Sequence, residues 1–513
     1  VPLRKLLAVL AALLGGACLL SYYGSLSGSG PDARPGPDLR GVNRERQRAV
    51  RAAMKHAWSG YRAYAYGKDE LQPLTKSYNQ RWGSWSITLV DALDTLYLMG
   101  MMDEYEDAKR HVQTIDFSKS PAGYRVPVFE MTIRALGGLL GAYELDNDPK
   151  LLLKAKQVGD TLAKAFNSPT GLPYSWLDLN YPKSVVDTSL CIAEGGTLQL
   201  EFKKLAQLTG DKRYRELAER ASEAMENAER PIKGLYPTFI DISSGKYNLY
   251  SSYSVGGAAD SFYEYLLKQH ILHNMRQPKY GQQYVTAVEA IKTKLVGRTQ
   301  SGMPYLGSIT SPDAAVTTAM EHLACFFPGL LALGAQAMDR PQDLGLAEEL
   351  TRTCYLSYKL TATGLGPEKF QITDRKSPRM LPTRVGTDPG PVVPPSSEEG
   401  VRITAIDSRY ILRPETIESL FVLYRVTGDT KYQEWGWEIF QSIEKYTKAD
   451  VGYAAYEDVG KTDPAGNRAD SMESFFLAET LKYLYLLFSP TSLLPLNEYV
   501  LTTEAHPLRI MPN

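Results

Sequence analysis

The feature that most narrows how this chain can fold is a helical hairpin that keeps returning. An apolar stretch with helical period runs into a short polar turn, and a more charged stretch of the same period follows. The turns fall at Asp103 (MGMMDEYEDAKRHV), Asp148 (YELDNDPKLLLKAK), Asp211 (LTGDKRYRELAERA), Lys279 (MRQPKYGQQYVTAVEA), Asp339 (QAMDRPQDLGLAEEL) and Asp429 (VTGDTKYQEWGWEI). A last helix starts near Met472 (MESFFLAETLKYLYLLF). The spacing is too irregular for a solenoid but suits helix pairs joined by loops of varying length. In each pair the first member, such as TIRALGGLLGAY, is apolar almost all round and must be buried. The second carries Lys, Glu and Arg along one face and belongs outside. Alternating inner and outer helices make a toroid. Six recurrences, plus a pair formed by the first and last helices, predict an all-α (α/α)7 barrel, though counting alone also admits six pairs. Asp146 and Asp148 resemble the start of a calcium loop, but Leu151 stands where that loop needs glycine, so a plain turn is expected.

Each inner helix also carries an acid near its N-terminal end: Asp91 and Asp94, Glu130, Glu194, Asp260, Glu321 beside His322, Glu415, and Glu479. Equivalent helices of a toroid run parallel, so these ends should meet at one mouth. Singly, each acid is explained by the helix dipole, which favours it by ~0.3–1 kcal/mol. The set weighs differently, because Asp260 with Glu264 and Glu415 with Glu418 put like charges on one face, at a cost of ~0.2–0.5 kcal/mol per pair. A metal ion or a hydroxyl-rich ligand would offset that. Paired carboxylates across a cleft are what glycoside hydrolysis requires, one protonated and one ionised. Glu130 sits among Val128, Phe129 and Met131, surroundings that raise a carboxyl by desolvation, while Arg134 one turn on opposes the shift.

Composition excludes several alternatives. Lys and Arg number 57 against 58 Asp and Glu, so no global field attracts phosphate backbones, and no local basic patch compensates; nucleic acid is not expected as a partner. Tyr 33 against Phe 14 suits a wet polar cleft or a helical core with satisfied hydroxyls equally well. Arg4 and Lys5 precede an apolar run at 6–20, which reads as a signal anchor or a cleaved signal peptide over 1–23. A flexible Gly/Ser/Pro stem follows over 24–42, then the barrel over 43–513, with a Pro/Gly-rich loop at 372–406 that is either a disordered insertion or a site's rim. The barrel would face the secretory lumen. Cys325 and Cys354 could bridge there, leaving Cys191 as a buried thiol, and no N-glycan acceptor motif occurs. A terpene-synthase-like α barrel would need a DDxxD box, which is absent.

Five segments go further. FEMTIRALGGLLGAYEL, ADSFYEYLLK, LRPETIESLFVLYRVTGD, SMESFFLAETLKYLYLLF and TTEAHP, in this order, resemble the class I α-1,2-mannosidases, glycoside hydrolase family 47, over residues 43–507. The resemblance implies an (α/α)7 barrel plugged by a small C-terminal β-hairpin, and a Ca²⁺-dependent, inverting removal of terminal α-1,2-linked mannose from high-mannose N-glycans. The enzyme would be a monomeric domain in the lumen of the endoplasmic reticulum or Golgi, held by a type II anchor or secreted if the anchor is cleaved. Glu130 and Asp260 match the candidates for delivering the proton, without a choice between them, and Glu415 matches the general base. Thr503 matches the calcium ligand, with waters held by acids such as Glu418, Glu479 and Glu504. Arg134, Glu194, Glu264, His322, Arg413 and Phe475 match substrate-pocket positions, and the family's disulfide falls on Cys325 and Cys354. Ala258 departs from the arginine of the endoplasmic-reticulum members, which implies broader trimming of the Golgi kind, and Ala454 and Ala455 replace two serines. The alternative is a lectin-like factor of glycoprotein quality control with little hydrolysis; such a factor should have lost catalytic carboxylates, and none is missing.

Overall fold

In the computed structural model, residues 39–180, 187–374 and 400–512 are described, with the backbone alone for 39–42. The apolar run at 6–20, Cys18 and most of the proposed stem lie outside them. The first helix, Leu39–Tyr64, starts inside the segment expected to be stem. Among the described residues no helix is long and apolar enough to cross a membrane.

The hairpins form as their periodicity dictates. Apolar inner members run through Leu93–Leu98, Gly137–Asp146, Gln199–Thr209, Asp260–Leu272, Phe327–Ala337, Glu415–Thr427 and Leu481–Leu487, and amphipathic outer members through Met102–Val112, Pro149–Leu162, Lys212–Asn227, Pro278–Lys294, Leu344–Lys359 and Lys431–Tyr446. The turn aspartates start the outer helices: Asp148 accepts the N–H of Lys150 at 2.9 Å and Asp211 that of Arg213 at 3.1 Å, which satisfies N–H groups the helix itself cannot. Each inner helix packs on the next, and the Phe476–Thr480 turn that leads into the last packs back on the first. The Leu39–Tyr64 helix closes the outer ring. Arg46 forks onto Glu434 at 2.7 and 2.8 Å, Gln47 reaches Ser489 at 2.7 Å, and Arg51 donates to the carbonyl of Met99 at 2.7 Å. The ring therefore has seven pairs among the described residues, and the six-pair count is excluded.

Two inner helices are not regular. Met131–Leu136 and Phe476–Thr480 are π-helical turns, wide turns that collect at functional sites because they re-aim the side chains they carry. Here they carry Arg134 and Glu479.

Strands are short, as their sparse signals predict, with one correction. The ends of the expected 372–406 loop are paired: Lys369–Asp374 runs antiparallel to Val401–Asp407, and its other edge takes Ala319–Glu321. Ile372 and Ile403 face the core, an alternation that the surrounding proline and glycine concealed; residues 375–399 lie outside the described set. The C-terminal hairpin, Tyr499–Leu501 with Pro507–Arg509, sits against the inner helices. Lys204 donates to the carbonyl of Arg509 at 2.6 Å, and the N–H of Met511 to that of Leu272 at 2.8 Å. Cys325 and Cys354 are disulfide-bonded, tying the fifth inner segment to its outer helix. Cys191 is free but partly exposed rather than buried.

Candidate active site

The hairpin turn over 502–506 points into the barrel, where the inner-helix acids converge on it. Thr503 is the one residue of 499–508 that is not buried. Its N–H donates to the hydroxyl of Tyr265 at 3.3 Å, and Tyr265 donates to Glu201 at 2.6 Å.

Glu415 opens its helix with Glu418 one turn on. His322, fully buried on the short helix after Ala319–Glu321, places Nδ1 2.6 Å from Glu415 and Nε2 2.6 Å from the Tyr358 hydroxyl. Arg413 lies 3.8 Å from Glu415 and is itself held by both oxygens of Glu368 at 2.8 Å. Burial alone would raise the Glu415 carboxyl, but the His322 hydrogen bond and the charges of His322 and Arg413 outweigh it and hold the group below its ordinary value. Asp260 has the opposite setting. It begins the Asp260–Leu272 helix, accepts from the N–H and hydroxyl of Ser261, and is pushed up to about 7 by burial, then by Glu415 and Glu264.

The like-charged pairs have a cation that the sequence reading overlooked. Lys268 is ion-paired to Glu264 and lies 3.7 Å from Glu418. It stands four residues after Glu264, a spacing that favours pairing on a helix. One lysine does not neutralise the group. Glu418 and Glu504 are each pushed up to about 8, burial coming first, and Glu479 is pushed well above the carboxylate range by burial, Glu504, Glu415 and Glu418.

Glu130 accepts from Nε of Arg134 at 2.9 Å, and Arg134 also pairs with Glu504 and donates to Ser474 at 3.1 Å. The guanidinia of Arg134 and Arg413 approach the Phe475 ring at 5.6 and 5.8 Å, both within cation–π range. Glu194 accepts from the N–H of Cys191 at 3.2 Å and from Ser175 at 3.1 Å.

Two expected acids, Glu321 and Asp94, do not join the cluster, and a third, Asp91, touches it through Arg134, 3.6 Å away, and through Ser474. Glu321 lies on a strand and pairs with Lys369 at 3.0 Å. Asp91 and Asp94 are fully buried and clasp His506, with Nε2 3.1 Å from Asp91 and Nδ1 2.8 Å from Asp94; Lys482 completes the set 2.9 Å from Asp94. His506 lies in TTEAHP, but nothing in that string shows that two aspartates four hundred residues earlier face it.

A hard dication fits the turn. Such an ion prefers oxygen ligands, which Thr503 and the nearby carboxyls supply, and Glu418, Glu479 and Glu504 are raised first by burial and then by neighbouring negative charge that Lys268 and Arg134 do not offset. Among the described residues no three His, Cys, Asp or Glu side chains form a metal cluster by themselves, so an ion here would rest on Thr503 and on waters bridged to the acids.

The model of glycosyl hydrolase family 47 matches residues 53–510. The chain is 39% identical over 474 residues, 91% of its length, to the human endoplasmic reticulum mannosyl-oligosaccharide 1,2-alpha-mannosidase, of whose length it spans 64%. It is 40% identical over 92% of its length to a mannosyl-oligosaccharide 1,2-alpha-mannosidase of Arabidopsis thaliana, covering 80% of that protein. The structure of an alpha-1,2-mannosidase from Trichoderma reesei superposes with a TM-score of 0.83 at 32% identity, over 91% of this chain and 99% of that one.

Proposed function

Because the chain belongs to glycosyl hydrolase family 47, whose (α/α)7 barrel it shares, we propose that it is an inverting, Ca²⁺-dependent exo-α-1,2-mannosidase acting on high-mannose N-glycans in the secretory pathway. The observation that carries this reading is the opposite tuning of two carboxyls at one mouth: Glu415 below its ordinary value and Asp260 at about 7. Groups pushed apart in this way divide into base and acid.

In this reading Glu415 takes a proton from a water whose oxygen bonds to C1 of the terminal mannose, while the C1–O bond to the next sugar breaks. The leaving oxygen takes its proton from the Asp260 and Glu130 side, and Asp260 is the favoured donor because it keeps a proton close to neutral pH. Glu130, fixed by Arg134, orients the leaving sugar and solvent. His322 and Arg413 keep Glu415 ionised and aimed, and Phe475 packs beneath the ring. Calcium held at Thr503 would bind and orient sugar hydroxyls as a hard Lewis acid. Attack from the face opposite the leaving group inverts C1.

The test is incubation of the full chain with a high-mannose N-glycan, with and without a chelator, following the released mannose by NMR. Release of β-mannose, lost on chelation and restored by calcium, is expected; α-mannose, or full activity without calcium, overturns the mechanism. For the donor, Asp260→Asn should remove the basic limb of the pH–kcat/KM profile. If Glu130→Gln removes it instead, the proton belongs to Glu130. A lectin-like role would appear as glycan binding without release.

A further inference from the structure

Glu415 is aimed by His322, and His322 is gripped in turn from the outer ring. Tyr358, 1% exposed on the Leu344–Lys359 helix, sets its hydroxyl 2.6 Å from Nε2 of His322, while Nδ1 lies 2.6 Å from Glu415. The two carriers of this chain are fastened to each other. The disulfide joins Cys325, three residues after His322, to Cys354, four residues before Tyr358, so each partner stands about one helical turn from the bridge. The N–H of His322 donates to the carbonyl of Glu368 at 2.9 Å, which fixes the backbone beneath the imidazole. A side chain at Gly366 would come within 2.3 Å of the Tyr358 ring, so the tyrosine fills its slot completely.

The chemistry of the imidazole gives this grip a purpose. Glu415 stays ionised because its carboxyl is held below its ordinary value, and a carboxylate only accepts, so Nδ1 carries the proton of that bond. Nε2 is then either bare or the site of a second proton. A hydroxyl serves both states, donating to the first and accepting from the second, where a carbonyl or an amide N–H serves only one. The Tyr410 ring meets that of Tyr358 edge-on at 5.9 Å, and its buried hydroxyl has no partner other than Tyr358 among the described residues. It is placed to answer when the Tyr358 hydroxyl turns.

Turnover strains the other end of the chain. On taking the proton of the attacking water Glu415 becomes neutral, and a hydrogen bond from Nδ1 to a neutral carboxyl is weaker than one to a carboxylate. The hold on Nε2 does not pass through that change. The ring is therefore kept in place from the outer side at the moment its inner partner loosens.

We propose that Tyr358 is a positioning residue for the base: by filling Nε2 of His322 it keeps the Nδ1 N–H on Glu415 throughout the cycle. The proposal rests on the mannosidase reading, which gives Glu415 its task. The full chain and its Tyr358→Phe variant, which keeps the ring and loses the hydroxyl, are assayed on a high-mannose N-glycan with calcium present. Tyr284→Phe is assayed beside them, since it deletes another fully buried hydroxyl, one bonded to the carbonyl of Leu330. Tyr358→Phe should lower kcat about 10- to 100-fold, the scale for losing a group that orients an active one, with KM within about twofold. Tyr284→Phe should leave both within about twofold. In protein labelled with 15N-histidine, the Nδ1 proton of His322, identified by its loss in His322→Gln, should be sharp in the wild type and in Tyr284→Phe. In Tyr358→Phe it should broaden through exchange with water. Unchanged kcat in Tyr358→Phe, an equal loss in Tyr284→Phe, or an unaltered Nδ1 proton in Tyr358→Phe would overturn the proposal. Wild-type protein that shows the Nδ1 proton yet releases no mannose would overturn the mannosidase reading instead.

Discussion

Two sets of buried carboxylates meet at the 502–506 turn, and they are balanced differently. Asp91 and Asp94 are enclosed by His506 and Lys482, with Arg134 3.6 Å from Asp91 as the link to the second set, and Asp94 is held below its ordinary value because Lys482 and His506 outweigh its burial. Glu418, Glu479 and Glu504 share Lys268 and Arg134 and remain raised. The first set locks the hairpin into the barrel with its charge neutralised inside the protein. The second leaves charge to be satisfied by something that binds. The lesson is that buried acids at one mouth are not one class, and that how far the neighbouring cations offset their burial divides them.

The comparison can be broken at several points. The largest effect expected is that of Glu415→Gln, which should lower kcat by about 10²- to 10⁴-fold, the range of a general base, with an unchanged circular dichroism spectrum; unaltered kcat would remove Glu415 from its role. Next, Lys482→Met leaves buried Asp94 short of a cation and should cost about 3–5 kcal/mol in denaturant unfolding, equally with and without calcium. A calcium-dependent cost would merge the two sets. Third, Glu479→Gln should weaken calcium binding by calorimetry yet raise the melting temperature of the chelated protein at alkaline pH, where an ionised Glu479 would repel Glu504, Glu415 and Glu418. A fall in both would show Glu479 fastening the fold.

The last effect is in pH. Glu418 and Glu504 titrate near 8 when folded and near 4.5 when unfolded, so between those values the folded state binds more protons and stability falls as pH rises. Thermal melts of chelated protein should therefore decline from about pH 5 to 8, and calcium should flatten the decline. His506 has the same sign in a higher window: raised to about 9, its contribution is full below about 6.5 and disappears as pH climbs through 9. A calcium-independent decline between pH 7 and 9 that vanishes in His506→Gln would identify it.

Much of this was legible in the chain. Apolar helices of period 3.6 alternating with charged ones specify inner and outer rings, and the aspartates at the turns mark where outer helices start. The acids at the inner-helix ends pointed to the mouth. Resemblance to the mannosidases, rather than spacing, singled out Thr503, because one threonine on a hairpin has no metal-ligand pattern. Lys268 was within reach, four residues from Glu264, but a search for acids passes over it. The roles of Asp91, Asp94 and Lys482 were not legible, since they depend on contacts with His506 and its neighbours across most of the sequence. The ladder inside the 372–406 segment was hidden by the prolines between its strands.

The Leu39–Tyr64 helix, which closes the outer ring against Glu434 and Ser489, also sets a clock. Its partners are separated from it by 388 and 442 residues. At ~5–20 residues per second of synthesis, that helix waits on the order of twenty seconds to a minute and a half, its apolar face uncovered, before the segments that cover it exist. The barrel can therefore close only after its last helix is made, and the interval is one in which a chaperone has something to hold.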